Sequence, residues 1–278
     1  YQGVQGAYSH LSCKNVFPNS KSQACETFHE AMHLVEIGKA DFAMIPVENS
    51  TAGRVEEIYR LIPKMSLHIM EEHFEPVKHC LLGLKDCNID DIKYVSSHPQ
   101  ALAQCHTNIT KHNFEAVAKF DTAGAAQELL KMNDKTHAAI ASSLASELYD
   151  LKIINKDFGD HHGNTTRFLI LSKDNSIPEY CSDKEYITSL VFEVRNIAAS
   201  LYKALGGFAT NNVNLIKLES YSLPGSMKAS QFHVDISGHT AQKKLQFALE
   251  ELDFFAKDVK ILGVYNRNKY RDIMKTFN

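Results

Sequence analysis

The segment DFAMIPVENSTAG, residues 41–53, joins an apolar run to a polar end that contains glycine. Its first part, residues 41–47, has the length and apolar content of a buried β-strand. The next segment, VEEIYRLI at residues 55–62, repeats apolar residues at helical spacing. A buried strand, a short polar connection and a helix form the repeating unit of α/β proteins, so this segment sets the expected fold class.

The same unit recurs up to about residue 175. The sequence predicts further strands at residues 67–70, 79–84, 92–96, 114–119, 137–141 and 168–172, and further helices from residue 99 and at 123–132 and 144–149. The opening residues Tyr1, Gln2 and Gly3 are interpreted as the end of another strand. Strands that alternate with helices predict an α/β region with mostly parallel sheets.

A polar stretch, residues 173–184, follows this region. Beyond it the sequence predicts a strand at 186–194, a helix at 198–210, strands at 215–221 and 231–236, a helix at 242–255 and a strand at 259–264. The order βαββαβ is that of a ferredoxin-like unit. We therefore expect two parts, residues 1–175 and residues 186–270.

The composition is that of an ordinary globular protein. Hydrophobic residues make up 44% and charged residues 23% of the 278 residues, and the net charge is −3. This balance gives no attraction to nucleic acid or to an anionic membrane, and no apolar run approaches the roughly 18 residues of a membrane span. The six cysteines form no Cys-x-x-Cys pair, so we expect reduced thiols, no metal site and no cofactor. A cytoplasmic protein without a signal peptide is the resulting expectation.

Four predicted junctions between a strand and a helix are rich in small polar residues. They are GVQGAYS (residues 3–9), ENSTAG (48–53), SSHPQ (96–100) and DTAG (121–124). Helix N-termini offer unpaired backbone N–H groups and a partial positive charge, which suit carboxylates and phosphates. Each junction alone is consistent with an ordinary helix cap, whereas four in one α/β region indicate a shared cleft for a small anion.

A fifth segment, HHGNTTRF at residues 161–168, places two hydroxyls and a guanidinium just before the last predicted strand of this region. Arg167 could hold a carboxylate through two parallel hydrogen bonds, or it could form a surface salt bridge. The spacing alone leaves both interpretations open.

Together these segments resemble the motif blocks of prephenate dehydratases. GVQGAYSH, IPVENS, SSHPQALAQC and NTTRF occur in the order found in that family, and NNVNLIKLES at residues 211–220 is similar to the ACT regulatory domain that follows the catalytic region in many members. The resemblance spans essentially the whole chain. It implies a carbon–oxygen lyase that converts prephenate into phenylpyruvate during L-phenylalanine biosynthesis.

The resemblance also implies a catalytic region of two α/β lobes, like periplasmic binding proteins, with the site in the cleft between them. The first lobe would contain residues 1–77 and 157–175, and the second lobe residues 78–156. The four junctions and the NTTRF segment would then face each other across the cleft. The enzyme would hold the carboxylates of a small dicarboxylate substrate and protonate its leaving ring hydroxyl.

The site residues of the family carry over to matching positions of this chain. Thr166 becomes the general acid and Arg167 a carboxylate anchor, with Glu48 or His98 as candidates for a proton relay. The expected substrate contacts are Ser9, Asn49, Ser50, Ser97, Gln104, Thr122 and Phe168. Without the resemblance, the hydroxyls would be taken for helix caps, Gln104 for an exposed amide and Phe168 for core packing.

The resemblance further implies regulation by L-phenylalanine through the ACT segment, at Asn212, Asn214, Leu215, Glu219 and Ser220. Here the chain departs from the family pattern, because AASL at 198–201 stands where many relatives read P-G-A-L and ESYS at 219–222 stands where they read E-S-R-P. An added β-carbon at position 199 fills space near the backbone. We therefore expect phenylalanine to act weakly or not at all.

Pairing of ACT sheets implies a homodimer or a homotetramer. Two other functions stay open at this point. One is an arogenate dehydratase, which acts on the amino rather than the keto side chain. The other is a non-catalytic amino-acid-binding sensor built on the same fold.

Overall fold

The computed structural model describes residues 1–195, 197–222 and 229–274, and its strands form three sheets. The first sheet contains β1 (Ala43–Asn49), β2 (Gly53–Arg54), β3 (His68–Pro76) and β9 (Thr165–Ser172), in the spatial order β2-β1-β9-β3. It is flanked by α1 (Tyr8–Val16), α2 (Phe28–Glu36), α3 (Glu56–Leu61) and a 3₁₀ turn at Ile62–Lys64. Met32, Ile45 and Ile58 are fully buried between the sheet and these helices, so the apolar run of the quoted segment does form a core strand.

The second sheet lies in the middle of the chain. Its strands are β4 (Cys80–Gly83), β5 (Tyr94–Ser97), β6 (Glu115–Ala118), β7 (His137–Ala141) and β8 (Lys152–Asn155), in the order β6-β5-β7-β4-β8. Its helices are α4 (Pro99–Gln104), α5 (His106–Lys111), α6 (Thr122–Met132) and α7 (Ser143–Leu148), with a 3₁₀ turn at Ile89–Asp91. A separate cluster of buried apolar residues, which includes Leu81, Val95 and Ile140, forms the core of this part.

The chain thus builds two α/β lobes, and it crosses between them after β3 and again after β8. The first lobe is the part around the first sheet, and the second lobe is the part around the second sheet. The expected two-lobed α/β architecture is confirmed. Helix α1 starts at the first of the four predicted junctions, whereas helix α2 and strand β8 were not predicted, and the opening residues form an isolated bridge between Gln2 and Cys25.

The expectation of mostly parallel sheets is wrong. Only β5 pairs in parallel fashion, with β6 and with β7, among the named strands that the structure describes. The first sheet is antiparallel throughout, because β9 returns from the second lobe and inserts between β1 and β3. Strand–helix alternation reports local order and carries no information about this long-range insertion.

The third sheet belongs to the C-terminal part. It contains β10 (Tyr186–Val194), β11 (Leu215–Ser222), β12 (Ala229–Ser237) and β13 (Ala256–Asn266), in the antiparallel order β11-β12-β10-β13. Helices α8 (Ser200–Thr210) and α9 (Lys243–Phe255) cover one face, and α10 (Tyr270–Met274) follows β13. The connectivity βαββαβ confirms the predicted ferredoxin-like unit, called the ferredoxin-like domain below.

The second face of this sheet packs against the first lobe. Ile187 and Leu262 share one buried cluster with Ile69 and Leu171 of the first sheet. The approach is closest at Gly263, where an added Cβ would lie 2.1 Å from the carbonyl oxygen of Ile69. Glycine is therefore required there, and the two parts share a core.

Candidate active site between the two lobes

A cleft of about 450 Å³ lies between the two lobes. Every one of the four polar junctions contributes to it, and so does the NTTRF segment. Its lining includes Tyr8, Asn49, Gly53, Arg54, His79, His98, Gln100, Gln104, Asp121, Thr122 and Thr166. The structure therefore brings together segments that are up to 158 positions apart in the sequence (Tyr8 to Thr166).

Thr166 and Asn49 form the centre of the first-lobe wall. They are direct partners on β9 and β1, so their side chains lie on the same face of the sheet. Asn49 Nδ2 donates to Thr166 Oγ1 at 3.0 Å. Asn49 Oδ1 accepts from the backbone N–H groups of Thr51 and Ala52, at 3.0 and 2.9 Å, which fixes the amide orientation. The Thr166 oxygen is thus an acceptor from Asn49, and its own hydrogen is free to point into the cleft.

The amide of Asn49 begins a chain of hydrogen bonds that crosses to the second lobe. Asn49 Nδ2 also donates to Asn164 Oδ1 at 2.7 Å, and Asn164 Nδ2 donates to Gln104 Oε1 at 2.9 Å. The ring Nε2 of His79 lies 2.7 Å from the same Gln104 oxygen. Because each amide orientation is set by the one before it, Gln104 Oε1 must be an acceptor and Gln104 Nε2 remains available as a donor.

This order also fixes the tautomer of His79. Its Nε2 must carry a hydrogen that it donates to Gln104, so Nδ1 is the unprotonated nitrogen of the neutral ring. Nδ1 lies 3.2 Å from the oxygen of the Tyr8 hydroxyl, whose single hydrogen is donated to the backbone oxygen of Lys78 at 2.8 Å. Burial lowers the pKa of His79 from its ordinary value, and the hydrogen bond to Gln104 opposes that shift. His79 is therefore a neutral residue at pH 7.

Arg167 does not face the cleft, and its expected role as a carboxylate anchor is wrong. The residue after Thr166 on β9 points to the opposite face of the sheet. The side chain of Arg167 is 4% exposed and is paired with Glu48, Glu72 and Asp235, at 3.1, 2.9 and 2.8 Å. Its guanidinium is occupied by these partners, and Arg167 lines the cavity at the ferredoxin-like domain rather than the cleft that contains Thr166.

Glu48 is the direct partner of Arg167 across the two strands and shares its face. Its carboxylate binds Arg167 and Lys217. Burial would raise the pKa of Glu48, yet the charges of Arg167 and Lys217 hold it below its ordinary value. Glu48 is thus an ionised partner of the ferredoxin-like domain, and the expectation that it relays protons in the cleft is wrong.

Four other expected substrate contacts lie away from the cleft lining. Ser97 is fully buried and donates to the backbone oxygen of Ile140 at 2.6 Å. Ser50 joins the β1–β2 turn to the start of β9 by accepting from the Thr165 amide at 3.0 Å. Phe168 is 1% exposed and packs in a small core cluster, and Ser9 is buried within α1. The hydroxyls of Ser97 and Ser50 and the ring of Phe168 therefore stabilise the fold, and Ser9 does not line the cleft.

The second-lobe wall is made largely from two helix starts. The His98 ring accepts from the Gln100 amide at 3.2 Å and caps α4. The Asp121 carboxylate accepts from the Gly124 amide at 2.6 Å and caps α6, whose first residue is Thr122. The junction at residues 48–53 differs, because it forms a tight turn between β1 and β2 and no helix starts there.

Sequence reasoning missed Tyr8, His79 and Asn164, although the first and the last lie within quoted motifs. No spacing rule connects His79 to Gln104, 25 positions away, or Gln104 to Asn164, 60 positions away. The signal that was available is chemical: a histidine, His79, and an amide, Asn164, stand where the chain crosses between the lobes.

Four of the five residues expected to regulate the protein lie at the contact between the first lobe and the ferredoxin-like domain. Asn214 and Leu215 line a cavity of about 660 Å³ there, together with Glu48 and Arg271. Glu219 pairs with Arg54 at 2.7 Å, and the Ser220 carbonyl accepts a longer bond from Arg54 at 3.4 Å. Asn212 has a left-handed backbone at the end of α8, with φ of 53°.

Neither a metal site nor a membrane span is found within the described ranges 1–195, 197–222 and 229–274. No group of three or more His, Cys, Asp or Glu side chains there is arranged to hold a metal ion. No helix in those ranges has both the length and the apolar character that crossing a bilayer demands.

Comparison with known proteins agrees with this geometry. The family model for prephenate dehydratase matches residues 1–176. The chain belongs to the prephenate dehydratase family. Members of this family are lyases of the dehydratase type, and the Thr166 cleft lies within the matched residues.

Two curated relatives and one solved structure show how far the likeness extends. A bifunctional N-acyl-homoserine lactone acylase/prephenate dehydratase of Komagataeibacter europaeus is 42% identical over 272 residues, covering 98% of this chain and 96% of the relative. The chloroplastic arogenate dehydratase/prephenate dehydratase 2 of Arabidopsis thaliana is 39% identical over 95% of this chain and 71% of its own length. The Arthrobacter aurescens prephenate dehydratase in complex with L-Phe is 28% identical, covers 96% of this chain and 89% of its own, and superposes with a TM-score of 0.87. The family likeness therefore includes the ferredoxin-like domain.

Proposed function

We propose that this protein is a prephenate dehydratase that releases water and CO₂ from prephenate to give phenylpyruvate, with Thr166 as the proton donor. The observation that carries the proposal is the bond from Asn49 Nδ2 to Thr166 Oγ1. It leaves the threonine hydrogen free for the leaving hydroxyl. Residues 1–175 would form the catalytic region and residues 186–270 an ACT regulatory domain.

The dehydration of prephenate needs one proton from the protein, and aromatisation of the ring drives the rest of the reaction. The ring C–O bond breaks as Thr166 protonates the departing hydroxyl, and the carboxylate on the opposite ring carbon leaves as CO₂. The electron pair of that C–C bond completes the aromatic ring. Threonine is a weak acid, so proton transfer must be concerted with C–O cleavage. The Asn49 N–H stabilises the negative charge that develops on Oγ1, and solvent returns the proton afterwards.

The substrate carboxylates need other partners, since Arg167 faces away. Three groups of the cleft can donate to them: Gln104 Nε2, the first turn of α6, and the guanidinium of Arg54 at the rim. Arg54 is partly exposed and paired with Glu56 and Glu219, so it would contribute a third, solvent-facing interaction. Together these donors can bind the two carboxylates of prephenate.

Arogenate is the second candidate, because the family includes enzymes named for it. It carries an ammonium group where prephenate has a keto group. The acidic side chain among the described residues of the cleft lining is Asp121, and its Oδ1 already accepts from the Gly124 amide. The lining thus offers an ammonium group one carboxylate that already caps α6, against three donors for carboxylates, which favours prephenate.

The test is to offer the purified protein prephenate and arogenate in parallel and to measure phenylpyruvate and L-phenylalanine. We expect phenylpyruvate formation to have the larger kcat/KM. A larger kcat/KM with arogenate would reverse the substrate assignment. Binding of either substrate without product would support a non-catalytic sensor instead.

Pairing of two chains through their ferredoxin-like domains remains a prediction. Tyr202, Phe247 and Phe254 are largely exposed on the helices of that domain. Light scattering of the purified protein gives the mass directly, and a monomer would contradict the expected homodimer or homotetramer.

A further inference from the structure

A buried cluster of charges joins the catalytic strands to the ferredoxin-like domain. At its centre is Arg167, whose Nε binds Glu72 at 2.9 Å and whose Nη1 binds Glu48 at 3.1 Å. Its Nη2 lies 2.8 Å from Asp235 Oδ2 and 3.0 Å from the Tyr265 hydroxyl. Glu48 and Glu72 belong to the first lobe, whereas Asp235 and Tyr265 belong to β12 and β13 of the ferredoxin-like domain.

Asp235 is held rigidly by its own domain. Its Oδ1 accepts from the Ser189 hydroxyl at 2.7 Å and lies 3.4 Å from His233 Nε2. Its Oδ2 is buried and accepts no well-aligned hydrogen bond from the described residues, so the guanidinium charge of Arg167, 2.8 Å away, is what compensates its burial. The carboxylate therefore ties the central strands of one domain to β9 of the other.

The cluster is balanced in charge. Arg167, Arg271 and Lys217 face Glu48, Glu72 and Asp235. Glu219, which lies 3.4 Å from Lys217, is neutralised by Arg54 at 2.7 Å. Burial would raise the pKa of Asp235, yet Arg167, with help from His233 and Ser189, holds it well below its usual range. Removing the Asp235 charge leaves the cluster with one excess cation in a buried place, and Arg167 must move or attract other groups.

Movement of Arg167 has a short path to the cleft. Thr166 precedes it on β9, and the cross-strand pair Thr166–Asn49 lies on one face while Arg167–Glu48 lies on the other. Strand β9 is bonded on both sides, to β1 and to β3, so a displacement of one residue is carried by the backbone to the next. The bond between Asn49 and Thr166 at 3.0 Å is the contact that such a displacement would disturb.

We propose that Asp235 is a positioning residue for the dehydration step: by holding Arg167 from the ferredoxin-like domain, it sets the place of the Thr166 hydroxyl in the cleft. This proposal rests on the proposed function of Thr166. It extends the catalytic machinery beyond residues 1–176, into a domain that contributes no lining residue to the cleft among those described.

The first experiment compares three full-length variants by steady-state kinetics with prephenate. Asp235→Asn keeps the shape and removes the charge, and we expect kcat to fall by about 10- to 100-fold with KM within threefold, because a small misplacement affects the transition state most. Tyr265→Phe removes one hydroxyl from the same guanidinium and should lower kcat less, in the same direction. Tyr265→Phe provides the same test if Asp235→Asn folds poorly.

The matched control is Lys260→Met. Lys260 also joins the two parts, donating to the backbone oxygens of Pro63 and Met65 at 3.0 Å each, but it does not touch Arg167. We expect its kcat to stay within twofold of wild type. An equal fall of kcat in Lys260→Met and Asp235→Asn would mean that any loosened contact lowers activity, and the proposal would be overturned.

A double-mutant cycle tests whether Asp235 acts through Arg167. If it does, Asp235→Asn should lower kcat little further in an Arg167→Lys background, since the shared element is already altered. If the factors by which the two single substitutions lower kcat multiply in the double variant, Asp235 does not act through Arg167. Hydrogen exchange of the β9 segment gives a readout without activity, with faster exchange expected in Asp235→Asn than in Lys260→Met. If the wild type turns over neither prephenate nor arogenate, the proposed function is wrong. The hydrogen-exchange result would still show whether Asp235 holds strand β9 in place.

Discussion

Replacing Asn49 by Asp exchanges one NH₂ group for an oxygen and leaves the shape unchanged. The new carboxylate would still accept from the backbone amides of Thr51 and Ala52, so the β1–β2 turn keeps its hydrogen bonds. The side chain would lose its donations to Asn164 and to the backbone oxygen of Thr165, at 2.7 and 3.3 Å, and its donation to Thr166 at 3.0 Å would be reversed. The Thr166 hydroxyl would instead donate to the carboxylate, and its hydrogen would no longer be available to the substrate.

The magnitude follows from these contacts. A positioned acid is typically worth about 10²–10⁴ in rate, so capturing the Thr166 hydrogen should lower kcat by at least ~10²-fold. Two lost hydrogen bonds cost about 2 kcal/mol of the free energy of unfolding, at ~1 kcal/mol each. For a protein of this size that lowers Tm by roughly 4–8 °C.

Asn49→Ala is the matched control, because it loses the same donations and, in addition, the two hydrogen bonds from Thr51 and Ala52 that Asn49→Asp keeps. It should be less stable than Asn49→Asp by about a further 2 kcal/mol. It leaves the Thr166 hydrogen free, however, and should retain more activity. The assay is kcat with prephenate beside Tm for both variants. If kcat simply follows Tm, with Asn49→Ala the less active of the two, the reasoning about the threonine hydrogen is refuted.

Three further predictions concern pH and the ferredoxin-like domain. Burial lowers the pKa of His79 below its ordinary value of 6.5, so the unfolded chain binds that proton at higher pH than the folded chain does. The free energy of unfolding should therefore decline as the pH falls below about 6.5. The Tm of His79→Gln should fall less between pH 7 and pH 5 than the Tm of wild type, and an equal fall would contradict this. Ala199 has a φ of 59°, a left-handed conformation that costs a residue with a β-carbon about 1–2 kcal/mol, so Ala199→Gly should raise the free energy of unfolding in urea, and an unchanged or lowered value would contradict the strain. L-phenylalanine should bind the wild type weakly or not at all by calorimetric titration, whereas micromolar binding would show that the changed segments at 198–201 and 219–222 still form a pocket.

The ferredoxin-like domain could be predicted from the sequence because its elements follow each other locally. Strand β10 was predicted with its observed bounds, and the four strands pair antiparallel within one sheet. The order of the first sheet could not be predicted in this way. It depends on β9 returning from the other lobe, which no local pattern reports.

For the candidate site, too, the sequence motifs predicted the location, but they did not predict the role of every side chain. The motif segments located the cleft, since each of them contributes to its lining. The role expected of Arg167 failed because the strand was predicted to start at Phe168, whereas β9 starts at Thr165. Once Thr166 and Arg167 belong to one strand, alternation separates them onto opposite faces. His79 and Asn164 could not be assigned, because only the folded chain brings them to Gln104.

The role of Thr166 as the proton donor is tested most directly by the turnover of prephenate by Thr166→Ala beside Thr165→Ala and wild type. Both variants remove one threonine hydroxyl from β9, but Thr165 is buried and its hydroxyl bonds to the Gly163 carbonyl and to the Tyr270 hydroxyl rather than to Asn49. We predict that Thr166→Ala lowers kcat by about 10²–10⁴-fold with KM little changed, while Thr165→Ala stays within about tenfold of wild type. A Thr166→Ala variant that turns over prephenate within threefold of wild type would contradict this role.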